Sequence, residues 1–233
     1  GQGSKMRYIF GGKAKVPMTV RTMHEAGASA AAQHSGTYYG LFGSIPGLKV
    51  VVPATPYDAK GLLLSSIEED NIVIFSEDKT LYGMKGEVPE EYYTIPIGKA
   101  AVRREGSDLT IVTIGKMLYV AYEVADQLAK DGISTEVIDL RTVAPWDQET
   151  VLNSVKKTGR LIIIDESNPH NNTATDIAAV VTDQAFDYLD GPVKRVTAPN
   201  TPVPFATNLE QLYIPNAQRV IETASELIDD LKS

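Results

Sequence analysis

The run Ala30-Ala31-Ala32-Gln33-His34-Ser35 sets one imidazole behind side chains too small to crowd a neighbouring backbone or a ligand. The chain has three histidines, and a ring with a pKa near neutrality can exchange a proton at cellular pH. By spacing alone the alanines suit a closely packed helix on which His34 finds a hydrogen-bond partner, because an isolated histidine does not define a catalytic site. On local grounds that packing reading leads. His24 precedes a glycine-containing turn and His170 lies in a loop of Asn and Pro, where solvated rings are expected. A second constellation is Ser66-Ile67-Glu68-Glu69-Asp70-Asn71. A solvated acidic helix end is the commoner case, but negative charge at a helix C-terminus opposes the macrodipole, and a bound cation would relieve it.

The elements that must position these groups are legible in part. After His34, Pro46-Gly47 predicts a turn, Leu48 to Val52 a buried strand and Pro53 its stop. Thr55 and Asp58 form a capping-box-like pair around Pro56 at the first helical position. Strands are expected over Val16 to Thr22 and Asn71 to Phe75, with a small-residue helix around the alanines. Tyr82 to Ser107 mixes Gly83, Gly86, Pro89, Pro96 and Gly98 with charged residues and reads as an exposed linker between residues 1–97 and 98–233. The second block alternates. Leu109 to Ile114, Ser134 to Ile138, Leu161 to Ile164 and Val193 to Val196 read as strands. A stripe of Leu118, Ala121, Ala125 and Leu128 stops before Gly132, Pro145 starts a helix through Val155, and Thr173 to Tyr188 forms another. Asn216 caps a last helix to about Leu231. This order predicts an α/β fold with a mostly parallel sheet covered on both faces.

Ligands settle at the carboxyl ends of strands in such sheets, where Gly115, Asp139, Asp165 and Glu166 fall. No G-x-G-x-x-G follows the first strand and there is no Walker A lysine motif, so strand ending and helix capping is the leading reading for these four. Length and a hydrophobic fraction of 43% allow a core in one or two domains. Cysteine is absent, which removes disulfides, a thiolate nucleophile and cysteine zinc sites. A net charge of −8 without a basic run interleaved with aromatics argues against nucleic acid. No apolar stretch approaches the ~20 residues that cross a bilayer, and no signal pattern opens the chain, so no membrane partner is expected.

Several tracts together are specific. Tyr8-Ile9-Phe10-Gly11-Gly12-Lys13-Ala14-Lys15-Val16-Pro17, Gln33-His34-Ser35, the Pro46 to Leu63 stretch, Glu77-Asp78-Lys79 with Leu81-Tyr82, Arg141-Thr142-Val143-Ala144-Pro145, Thr197-Ala198-Pro199 and Pro202-Val203-Pro204-Phe205 span the chain. Through them it resembles the beta subunit of the thiamine-diphosphate-dependent E1 component of 2-oxoacid dehydrogenase complexes, in particular the acetoin dehydrogenase branch. The resemblance implies part of a pyrimidine-binding-type α/β domain followed by a transketolase C-terminal-type domain that serves assembly. Family members carry a stretch before the position matching Gly1, including the glutamate that helps activate the cofactor. A chain opening at Gly1 is therefore expected not to activate it alone.

What the resemblance implies for function is concrete. Thiamine diphosphate, anchored through Mg2+ on an E1 alpha subunit, would serve acetoin cleavage, with the two-carbon unit passing to the lipoyl group of the E2 acyltransferase. The partners would be the alpha subunit, E2 and a second beta subunit, in the cytoplasm. His34 matches a histidine that faces the thiazolium end of the cofactor, and with the resemblance included its functional reading leads. Met18, Ser66, Ile67, Glu69 and Asn71 match positions that hold K+ in several members, although many relatives have aspartate where this chain has Glu69. Acetoin is preferred because Glu77-Asp78-Lys79 and the tract from Val88-Pro89-Glu90-Glu91 to Ile95-Pro96 are similar to that branch. Pyruvate and branched 2-oxoacids are the alternatives, and a non-catalytic assembly module or a truncated fragment is the reading from another class. A free-standing dinucleotide-binding protein would have to bind NAD by itself, which is not expected.

Overall fold

The computed structural model describes residues 1–24 and 26–229. Among them, short helix α1 (Met6–Ile9) leads to β1 (Thr19–His24), α2 (Tyr39–Gly43), β2 (Lys49–Val51), α3 (Pro56–Glu68) and β3 (Val73–Asp78). The second half runs β4 (Ala101–Arg104), β5 (Leu109–Thr113), α4 (Met117–Lys130), β6 (Thr135–Asp139), β7 (Thr142–Ala144), α5 (Gln148–Thr158), β8 (Leu161–Asp165), α6 (Thr173–Gln184), β9 (Lys194–Thr197), α7 (Thr207–Tyr213) and α8 (Ala217–Asp229). Two sheets result, ordered β1-β3-β2-β7 and β4-β6-β5-β8-β9. Neighbours are parallel except at β7 and β4, which join antiparallel at the edges.

Local chemistry accounts for the best-predicted elements. Val50, Val51 and Val52 are fully buried, as an apolar run between helices demands. The Thr55 side chain accepts from Asp58 N at 3.1 Å and its hydroxyl donates to Asp58 Oδ2 at 2.7 Å, so α3 starts at the predicted capping box. Gly47 carries φ +86° in the predicted turn, and a Cβ there would lie 2.1 Å from the Ser4 carbonyl oxygen, so only glycine fits. Asn216 caps α8 through Arg219 N at 3.0 Å; the predicted end at Leu231 lies outside the described residues.

Several expectations are corrected. β1 lies further along than Val16 to Thr22, because Val16 N is engaged by the Asp70 carbonyl before the ladder with β3 begins at Thr19. The alanines form no helix. Residues 26–38 are irregular, with Ser29 at φ +50° and Ala31 at φ +62°, and contacts to the second half replace the helical hydrogen bonds. α5 begins at Gln148, capped by Asp147, and Pro145 precedes it. α6 ends at Gln184, where Ala185 turns into a 3-10 segment to Tyr188. The expected linker contains β4, and Ile95 within it is 5% exposed.

The two sheets share their interior. Val50, Val52 and Ile74 of the first pack in one cluster with Val112, Ile114, Ile138 and Leu140 of the second. β7 is the second half's own contribution to the first sheet, paired with β2. A buried charge network adds to this join. Asp58 on α3 takes Arg103 of β4 at Oδ2 and lies 2.8 Å from Arg141 Nη2 at Oδ1, and Arg103 also reaches Asp139 at 2.8 Å. Asp139 and Asp58 are fully buried, and burial raises the Asp139 pKa despite the guanidinium beside it.

Candidate functional site

His34 lies on the 26–38 segment between β1 and α2 and is exposed, so it is not sealed in a core. Its N–H donates to the Ala31 carbonyl at 3.2 Å, closing a turn, and its carbonyl accepts from Lys79 Nζ at 3.3 Å. Ala32 and Gly36, which flank it two residues away on either side in the chain, line a cleft of ≈ 360 Å³ together with Tyr38, Asn168 and Tyr213, and His34 itself is not in that lining. The sheet thus presents a titratable ring at the C-terminal side of β1, where α/β folds place ligand groups, on backbone that leaves room around it.

The root of that loop carries a cluster of buried polar and charged side chains. His24, expected to be solvated, is 2% exposed. Its Nε2 lies 3.3 Å from Glu166 Oε1 and its Nδ1 2.8 Å from Ser76 Oγ; with the proton on Nε2 toward the carboxylate, Nδ1 accepts from the hydroxyl. Lys116 reaches Glu166 at 2.8 Å and Asp78 at 3.3 Å and donates to the Ala26 carbonyl. Burial alone would raise Glu166, but the His24 and Lys116 interactions hold its pKa below the usual value; Asp78 is raised by burial and by the Glu166 charge. Tyr39 donates to Asp165 at 2.5 Å, and its ring meets His24 edge-on at 5.2 Å. Burial raises the pKa of both Tyr39 and Asp165.

His24, Asp78 and Glu166 could offer three ligand atoms within 4.8 Å of one another. The Lys116 ammonium already supplies the cation between the two carboxylates, so the cluster is a structural charge network. Of the four strand-end residues, Asp165 does cap, accepting from Ser167 N at 2.9 Å and Ala174 N at 3.3 Å. Asp139 accepts from Arg141 N at 3.1 Å, and Gly115 starts the turn before α4. Glu166 instead joins the second half to His24.

At the end of α3, the five cation-site candidates lie on adjoining segments. The Met18 carbonyl accepts from Val73 N at 2.9 Å and the Ser66 carbonyl from Thr19 Oγ1 at 2.8 Å. The Glu69 carboxylate is taken by Lys49 and by Asn71 Nδ2 at 2.8 Å, which hold its pKa below the usual value although burial pulls the other way. Ile67 is 60% exposed. Asn71 and Glu69 are thus brought together, and the other oxygen of Glu69 is taken by a lysine that spacing did not reveal. His170 is exposed in its loop, as expected.

Comparison with known proteins places this architecture in a class. Residues 2–85 match the transketolase pyrimidine binding domain and residues 98–220 the transketolase C-terminal domain. A split-gene transketolase, described as an inactive beta4 tetramer, superposes with a TM-score of 0.74 at 23% identity, covering 99% of this chain and 72% of that one. The chain belongs to the transketolase family and, within it, to the group of beta subunits represented by two relatives from Bacillus subtilis (strain 168). The acetoin:2,6-dichlorophenolindophenol oxidoreductase subunit beta is 57% identical over 98% of this chain and 67% of its own length. The pyruvate dehydrogenase E1 component subunit beta is 45% identical over 98% of this chain and 70% of its own. The chain thus spans about two thirds of the length of these relatives.

Proposed function

We propose that this chain is the beta side of a thiamine-diphosphate-dependent enzyme that cleaves acetoin and passes the two-carbon unit to lipoyl on E2. The observation that carries the reading is the 57% identity to an acetoin oxidoreductase beta subunit. The residues present fit one end of the cofactor. They offer an exposed imidazole on an open loop of small residues and, among the described residues, no basic or glycine-rich cradle for a diphosphate. The reading assigns the diphosphate and Mg2+ to an alpha subunit, as the family resemblance implies. When bound, the cofactor supplies a carbon nucleophile for the substrate carbonyl. His34 then has two tasks, donating a hydrogen bond to the oxygen where negative charge develops and carrying a proton in the following transfer.

The same reading includes a second beta subunit, E2 as acceptor, a cytoplasmic setting, and a division at residues 97 and 98 between the two domains. K+ is proposed at Met18, Ser66, Ile67, Glu69 and Asn71. It would rest on main-chain oxygens, because Lys49 and Asn71 already engage the Glu69 carboxylate. Thermal melting in matched KCl and NaCl tests it, with a higher Tm in KCl expected and identical curves contradicting it. The test of the main reading is co-purification of the complete subunit with an alpha subunit and assay of dye reduction. Turnover of acetoin well above that of pyruvate is expected. Preference for pyruvate, the alternative that the lower 45% identity to a pyruvate dehydrogenase beta subunit keeps open, would reassign the substrate, and a complex that never takes up cofactor would leave an assembly module.

A further inference from the structure

We propose that Glu210, on α7 of the C-terminal half, is a positioning residue for the loop that carries His34. The first leg of that loop is seated on the other half of the molecule. Ala26 is 2% exposed in a cluster with Ala198, Val203 and Tyr213. Gly27 follows at φ +111°, where a Cβ would lie 3.3 Å from Ile214 Cδ1 and 3.5 Å from Thr80 Cγ2. Ser29, itself at φ +50°, donates its N–H to Glu210 Oε2 at 2.9 Å, and its hydroxyl meets Thr207 Oγ1 at 2.9 Å and Glu210 Oε2 at 3.3 Å.

Glu210 is an expensive way to fill that position. It is 1% exposed, and its other oxygen, Oε1, has no hydrogen-bond partner among the described residues. A buried carboxylate costs stability unless its hydrogen bonds compensate, and the bonds its side chain makes here go to Ser29. They satisfy a backbone N–H in a conformation that L-residues avoid. From Ser29 to His34 the chain could reach roughly 17 Å if extended. Between them, the turn from Ala31 to His34 and the Lys79 contact add further restraints. Released at Ser29, the loop could move the imidazole by several ångströms, when a misplacement of about 1 Å can cost roughly 100-fold in rate. The catalytic consequence rests on the assignment of His34 proposed above; the bracing of the loop does not.

The experiment therefore reads the loop without turnover. Hydrogen exchange of peptides covering 26–38, and the imidazole resonances of the three histidines, are compared in the parent chain, Glu210→Ala and Glu210→Gln. Glu210→Ala should raise loop exchange about 10-fold and shift the His34 signals while the His170 signals stay in place; Glu210→Gln, which keeps an acceptor for Ser29 N–H, should restore protection. Unchanged exchange and an unchanged His34 signal in folded Glu210→Ala overturn the proposal. Should that variant not fold, Ser29→Gly removes the hydroxyl contacts while tolerating the backbone angle; it should raise exchange about threefold, and no rise overturns the proposal. In the assembled enzyme, Glu210→Ala should lower kcat more than it raises KM. A loosened loop with unaltered kcat would retire the role of His34 and leave the brace standing.

Discussion

Replacing Asp58 by alanine probes how the two halves are held together. The carboxylate is fully buried, accepts the Thr55 hydroxyl at 2.7 Å and faces both Arg103 and Arg141. Its loss takes the carboxylate partner from the Arg141 guanidinium and leaves Arg103 with Asp139 alone, and breaking a buried ion pair from one side typically costs about 3–5 kcal/mol. The arginine side chains are 18% and 14% exposed, so water reaches them in part, and Arg103 keeps Asp139. That argues for the lower end, about 3 kcal/mol. At roughly 2–4 °C per kcal/mol for a chain of this size, Tm should fall by about 6–12 °C. Urea melts of Asp58→Ala and Asp58→Asn check the figure; Asn keeps the volume and one acceptor but not the charge, and should recover at most a small part. A loss below about 1 kcal/mol in both variants would refute the view that this network fastens α3 to β4 and the turn before β7.

Other consequences follow from single contacts. Tyr39→Phe removes the donor to buried Asp165 and should cost about 1–3 kcal/mol in denaturant melts, whereas an exposed tyrosine such as Tyr8 should tolerate the same change within about 0.5 kcal/mol. Glu69 has a folded pKa below its usual 4.5, so its ionisation contributes stability that is present above that value and lost as pH falls through the lowered one. The stability difference between the parent chain and Glu69→Gln, within about 1 kcal/mol at pH 7, should shrink below pH 4.5. A difference independent of pH would contradict the assignment.

What could be read from the sequence divides by the range of the interactions. The capping box at Thr55, the Gly47 turn and the valine strand are decided by neighbours in the chain, and they stand where their residue types put them. The alanine run fails as a helix because Ser29 and Ala31 are held at positive φ, with Ser29 bonded to Glu210, 181 residues away. β4 is hidden by its glycine- and proline-rich surroundings, and it is an edge strand with exposed Val102, which weakens the apolar pattern. His24 escapes sequence reasoning for the same reason that the helix fails. Its partners Ser76, Glu166 and, through Tyr39, Asp165 come from other elements. The available signal is position: His24, Asp78 and Asp165 each end a parallel strand, with Glu166 next, and such ends converge.

The central claim is that this chain lends one accessible imidazole to a reaction centre completed by another subunit. It is tested most directly by His34→Ala in the complete subunit assembled with its alpha partner, following acetyl transfer to lipoyl domain under saturating acetoin. Because the ring is exposed, melting and assembly should stay as in the parent, while the transfer rate falls by about 100-fold to 10,000-fold. Transfer at the parental rate by a correctly assembled variant would contradict the account.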